Sequence, residues 1–138
     1  MSVSNLDDLR SIVIRSIDES SEGLITAAKS VYEIPETGFN ERKTSSFVQK
    51  RLEELNLSVE TGIAITGLKA VIKGNNSGPT IAVIAELDAL RVPSHPGSDS
   101  NTGAAHACGH HIQIGALLGV ATALVTPVVK HSLSGNVV

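Results

Sequence analysis

The sequence predicts an α/β domain: a layered fold with a mixed, mainly parallel central sheet flanked by helices. Three observations carry that reading. Apolar residues recur at helical spacing over residues 6–32, and again after residue 41. The run Thr80-Ile81-Ala82-Val83-Ile84-Ala85 has no polar face, as expected of a strand covered on both sides. The apolar fraction is 41% while aromatics supply 2%, so the core must be aliphatic, which suits helices packed on a parallel sheet. At 138 residues the chain can form one domain, residues 1–138, with a real core.

Leu6, Leu9, Val13, Ile17, Leu24, Ala28 and Val31 fall three, four or seven apart, which predicts a first helix over 6–32 capped by Ser4 or Asn5. Pro35 and Gly38 end it, and 33–40 reads as a structured loop. A second helix is expected over 41–55, with Asn40 as its cap and Phe47, Val48, Leu52 and Leu55 inward. Glu53 and Glu54 belong to its solvated face. Residues 58–65 are a weak strand signal. Residues 68–73 alternate, with Leu68, Ala70 and Ile72 on one face. Asn75-Asn76-Ser77-Gly78-Pro79 has turn composition. The apolar run 80–85 follows and ends in Glu86-Leu87-Asp88, and in open α/β sheets functional groups gather beyond the carboxyl ends of strands.

Residues 91–102 are rich in Pro, Ser, Gly, Asp and Asn and predict a loop. It leads into Gly103-Ala104-Ala105-His106-Ala107-Cys108-Gly109-His110-His111, which holds three histidines and the only cysteine. Imidazole nitrogen and thiolate sulfur are ligands that borderline-soft divalent metals favour. On a regular helix Cys108 and His110 would point about 200° apart, so irregular backbone is expected at both, with Gly109 permitting the turn and a helix starting near His111. Residues 112–125 predict a buried helix, with Gly115 and Gly119 allowing close packing against a sheet. The uncharged stretch 112–129 raises a membrane span, but Gln113, Pro127 and many small residues favour a core helix. A last strand is expected over 135–138, and an ending inside a strand reads as a fragment with an edge open to another copy.

The net charge of −3, without a basic patch, argues against a nucleic-acid partner. No membrane partner is expected. A lone cysteine fits a reducing compartment, and the first eight residues lack a signal peptide's basic and apolar regions, so a cytoplasmic location is expected. Asp88 could supply an oxygen ligand or orient a ligating imidazole. His95 reads as a loop residue and His131 as a helix-end surface residue.

The run Ala85-Glu86-Leu87-Asp88-Ala89-Leu90 followed by His106-Ala107-Cys108-Gly109-His110 resembles the metal-dependent amidohydrolases of the aminoacylase type, a family that includes hippurate hydrolase, auxin-conjugate amidohydrolases and aminobenzoyl-glutamate hydrolase. Pro35-Glu36, Gly38-Phe39 and Glu41 resemble an early segment of the same family. The resemblance spans nearly the whole chain but only the N-terminal part of the family's catalytic domain. It implies that Cys108 and His110 are ligands of a dinuclear site for divalent metal, zinc or manganese, with two ions per full-length subunit. Asp88 would be the catalytic-site acid that supports the metal, with Glu86, His106 and His111 as neighbours. Glu86 stands where many members have Asp, and His111 where the family usually has Asp or Asn. The implied reaction is hydrolysis of the amide bond in an N-acyl amino acid or small peptide-like conjugate, in a homodimeric full-length enzyme. The paired-glutamate motif, further histidine ligands and the lid and dimerisation domain have no counterpart here, so this chain alone is expected to be inactive. Two rivals are a cysteine hydrolase using Cys108 with His106 or His110 as base, and a non-enzymatic metal-binding or interaction module.

Overall fold

Asn5 starts the first helix. Its side-chain oxygen accepts the Asp8 N–H at 2.8 Å, and α1 (Leu6–Tyr32) follows with Asp7 and Asp8 in its first turn, near the positive end of the helix dipole. The structure is a computed structural model that describes residues 5–138, so Ser4, the other expected cap, lies outside the described residues. Residues 33–41 then lead to α2 (Arg42–Glu54). Asn40 does not cap α2. Its amide turns back to Thr37 and Gly38, and the carboxylate of Glu36 instead accepts the backbone N–H of Thr44 (2.9 Å) and of Lys43 (3.2 Å) and the Thr44 hydroxyl (3.0 Å). A carboxylate can satisfy more helix-terminal donors than an amide oxygen and carries the charge that the helix dipole favours.

The remaining elements are β1 (Val59–Ile63), β2 (Gly67–Ala70), β3 (Ile72–Lys73), β4 (Asn76–Ile81), β5 (Leu90–Arg91), β6 (Ala104–Ala105), α3 (His110–Val125), α4 (Pro127–Ser132) and β7 (Ser134–Val137). β1 and β2 form an antiparallel hairpin; β5 and β6 form a second, two residues long. The third sheet is mixed: β7 lies between β3, antiparallel to it, and β4, parallel to it. The α/β class and the mixed sheet match expectation, but among the described residues the one parallel ladder is β4–β7.

Three expectations change. The Asn-Asn-Ser-Gly-Pro segment is not a free turn, because from Asn76 onward it is part of β4. The close approach of Gly78 to Ser134 and Gly135 leaves no room for a Cβ, so turn-forming composition here serves backbone proximity. The run 80–85 is covered on one face only. Val83 and Ala85 are half-buried, whereas Ile81 is 60% and Ile84 84% exposed, because β4 is an edge strand. The chain-terminal strand is not an edge; β7 is the middle strand of its sheet.

The core is aliphatic, as composition requires: Ala27, Val31, Val48, Leu52, Leu57, Ile72, Ile114, Leu118 and Ala121 form one cluster. The alternation at 68–73 holds, with Ile72 buried and Lys69, Val71 and Lys73 exposed. Gly115 and Gly119 serve helix–helix rather than helix–sheet packing. A Cβ on Gly115 would stand 3.1 Å from the Ala28 Cβ, and one on Gly119 would stand 3.3 Å from Leu24 Cδ1, so the two glycines let α3 lie close against α1. Thr126 leaves helical geometry before Pro127, which opens α4 at a position where its missing N–H costs nothing. No helix among the described residues is long and apolar enough to cross a membrane.

Candidate functional site

The site is assembled where three chain segments meet. The extended segment after β4 carries Glu86 and Asp88. It is fixed by the Ala89 N–H donating to the Glu36 carbonyl (2.7 Å) and by a parallel bridge between Thr37 and Ala89. The intervening loop is closed by the β5–β6 ladder and by Asp99, whose carboxylate accepts the N–H and hydroxyl of Thr102 and the N–H of Asn101. The Thr102 N–H first, then its hydroxyl, hold the Asp99 carboxyl below its ordinary value. Residues 107 and 108 form a turn, Gly109 takes φ 87°, and His110 is the first residue of α3. The expected irregular backbone at Cys108 is present, and the helix starts one residue earlier than predicted. A left-handed φ immediately before the helix explains the glycine.

His110 is buried and held at both ring nitrogens. Its Nδ1 lies 2.9 Å from Asp88 Oδ1 and 2.9 Å from the Asp88 carbonyl, and its Nε2 lies 3.0 Å from Glu86 Oε2. Glu86 is in turn bracketed by Gln113: the amide donates to Oε2 (3.3 Å), and its oxygen accepts the Glu86 N–H (3.2 Å). Sequence reasoning missed Gln113, although a polar residue one helical turn after a ligand-type histidine is a readable signal. It also left Glu36 unconnected to the cluster, although the Glu36 loop braces the backbone at Ala89.

His106 is buried, with neither ring nitrogen hydrogen-bonded; its ring centroid is 5.5 Å from that of His111, which lies edge-on to Tyr32 at 5.0 Å. Nδ1 of His111 is also without a partner. Burial lowers the pKa of His106 below its ordinary value, helped by His111 and His110; Asp88, and the Val31 carbonyl outside hydrogen-bonding geometry, pull weakly the other way. Burial, then His110, lowers that of His111. Cys108 is an exposed free thiol without a hydrogen-bond partner. A nucleophilic cysteine needs a base within reach, and none is bonded to it. His95 accepts the Gly97 N–H within its own turn, and His131 is exposed in the last turn of α4, both as expected.

The donor set suits a metal, but only in part. An imidazole whose Nδ1 is held by a carboxylate and a carbonyl is oriented as metal-ligating histidines are, with Nε2 turned toward a further oxygen. Among the described residues, however, no three His, Cys, Asp or Glu side chains converge closely enough to enclose an ion.

An α/β layer with a carboxylate-anchored histidine beyond a strand end defines a hydrolase-type metal-site domain, and the comparisons fall in that class. A dinuclear metal-binding peptidase of the M20 family from Bacillus subtilis superposes with a TM-score of 0.72 at 30% identity, over 93% of this chain and 34% of that one. A methicillin-resistant Staphylococcus aureus protein, provisionally assigned as an aminohydrolase, gives 0.81 at 26% identity over 92% and 33%. By sequence, thermostable carboxypeptidase 2 of Saccharolobus solfataricus is 32% identical over 134 residues, 94% of this chain and 34% of the relative. An N-acetyldiaminopimelate deacetylase of Listeria innocua is 32% identical over 113 residues, 79% of this chain and 30% of the relative. No protein-family model matches the chain. The chain is a homologue of the M20 amidohydrolases, deacetylases and carboxypeptidases, and corresponds to their N-terminal third.

Proposed function

We propose that this chain is the N-terminal part of a metal-dependent amidohydrolase that cleaves the amide bond of an N-acyl amino acid or small peptide-like conjugate. The observation that carries the reading is the His110 imidazole held at Nδ1 by Asp88, next to Cys108 and in a chain homologous to metal-dependent hydrolases. Relatives named as deacetylases of acetylated amino acids and as carboxypeptidases support the substrate class.

In the complete enzyme, Cys108 as thiolate and His110 through Nε2 would hold divalent metal, with zinc or manganese as the ions and two per subunit. Asp88 accepts the Nδ1 proton, which fixes the tautomer and makes Nε2 the better donor. Glu86, clamped by Gln113, places negative charge beside Nε2, and His106 and His111 form the wall behind. When bound, the ions supply Lewis-acid activation of water and of the amide carbonyl. The remaining ligands, the proton-accepting group and a dimerising lid domain belong to the part of the relatives that this chain does not span, and a homodimeric cytoplasmic enzyme is the accompanying proposal.

The test uses the complete enzyme with N-acetyl amino acids as substrates. Chelation should abolish turnover, and Cys108→Ala or His110→Ala should lower both bound metal and rate severely. Asp88→Asn should weaken metal affinity on the order of 10–100-fold, as losses behind a ligand do. Unchanged metal stoichiometry and rate in Cys108→Ala would falsify its ligand role.

A further inference from the structure

Between β2 and the segment 82–87 lies an open apolar cleft of about 270 Å³, floored by Val48, Leu52, Ile114, Leu117 and Val120. Its two walls are strands. β2 pairs with β1 along one edge, and the same chain continues into β3, which pairs with β7 along the other. On the opposite wall Val83 donates its N–H to the Val138 carbonyl at 2.8 Å, as the last bond of the β4–β7 ladder. Backbone groups on one edge of a strand recur every second residue. The carbonyls of Val83 and Ala85 and the N–H groups of Ala85 and Leu87 therefore face the cleft, and among the described residues they have no hydrogen-bond partner. The intervening Glu86 N–H points the other way, to Gln113.

The registers of the two walls agree. Val137 sits opposite Ile72 on the antiparallel side and opposite Ile81 on the parallel side. Two residues farther along the line of β7, Ala70 on one wall faces Val83 on the other. Two more bring Leu68 opposite Ala85. The cleft is thus one strand wide, in register with an existing ladder, with an aliphatic floor beneath every second position.

We propose that this cleft is an acceptor slot for a single extended β-strand. The strand would run parallel to 82–87 and antiparallel to β2, with aliphatic side chains at alternate positions facing the floor and no charge at those positions. Such an occupant satisfies both open ladders at once and covers the apolar floor, which no compact small molecule can do. The proposal concerns the sheet and does not depend on the metal reading.

The test adds the acetylated, amidated peptide Val-Thr-Leu-Thr-Val-Lys to the whole 138-residue chain and follows amide hydrogen exchange at Ala85 and Leu87. In a second arm the same six residues are joined directly to Val138, which removes the entropy cost of association. The expected result is exchange slowed about tenfold or more at both amides, in at least the joined form. The Glu86 amide, already bonded to Gln113, should be unaffected. Replacing the central Leu of the peptide by Pro should remove the effect, since proline cannot complete a ladder. Three results overturn the proposal: no protection in either arm while the chain remains folded, equal protection by the proline peptide, or protection that rises with protein concentration without peptide. The last would make a second copy the occupant.

Discussion

His106 is a buried imidazole whose neighbours offer it no hydrogen bond, and that gives the chain a pH dependence of defined sign. Burial lowers the pKa of His106 and His111 in the folded state from the ordinary 6.5, so the unfolded chain takes up protons first as the pH falls. The stabilisation from keeping these rings neutral is complete above about pH 6.5 and is lost as the pH drops from there toward the folded-state values. Urea unfolding of the metal-free chain should show a lower midpoint at pH 5 than at pH 7.5. His106→Phe, which keeps a ring but cannot titrate, should lose less over that interval. Equal slopes for the two proteins would assign the dependence elsewhere. Gly115 is the second residue-scale case. With its Cβ position only 3.1 Å from the Ala28 Cβ, Gly115→Val must push α3 off α1. Overpacking of this kind costs about 1–3 kcal/mol, readable as a fall in the unfolding midpoint.

At the level of elements, the β1–β2 hairpin turns through two non-glycine residues with positive φ, Ala64 at 47° and Ile65 at 85°. A β-branched residue there is strained, by about 1–2 kcal/mol relative to glycine. Ile65 is also 62% exposed and contributes little packing, so Ile65→Gly should raise the thermal midpoint. An unchanged or lower midpoint would show that the loop relaxes the strain. The start of α2 depends on a residue six positions before it. Glu36→Ala removes the acceptor for the Thr44 N–H and hydroxyl and should cost about 1–2 kcal/mol, the range for a lost helix cap. Asn40→Ala should cost less, because its amide serves only the preceding turn.

For the molecule as a whole, the expectation is a folded chain without hydrolytic activity of its own. The aliphatic cluster joins α1, α2, α3 and the sheet into one core, whereas the ligand-type residues do not close around a point. A dication left with two protein ligands keeps water at its other positions and loses the advantage of a preformed cage. The purified chain, dialysed against zinc and then buffer, should retain well under one ion per molecule and should not hydrolyse N-acetyl amino acids. Stoichiometric zinc with turnover would show that the described residues complete a site that their separations do not suggest.

The sequence alone determined the helices and the place of the chemistry. Helical periodicity is a local property, and α1 and α2 lie within a residue or so of where the apolar spacing put them. The His-Ala-Cys-Gly-His run was legible because its residue types are rare together, and Gly109 announced the backbone turn it makes. What the sequence could not show is which strand lies beside which. The run 80–85 is apolar on both faces, so nothing in its pattern marked β4 as an edge or β7 as the middle strand; pairing is set by groups that are identical in every residue. The contact between Asp88 and His110, 22 positions apart, likewise required the β5–β6 ladder and the Glu36 brace to bring two segments together. Side-chain chemistry is written in order along the chain, but hydrogen-bonded neighbours across a sheet are chosen by the packing of the helices that cover it.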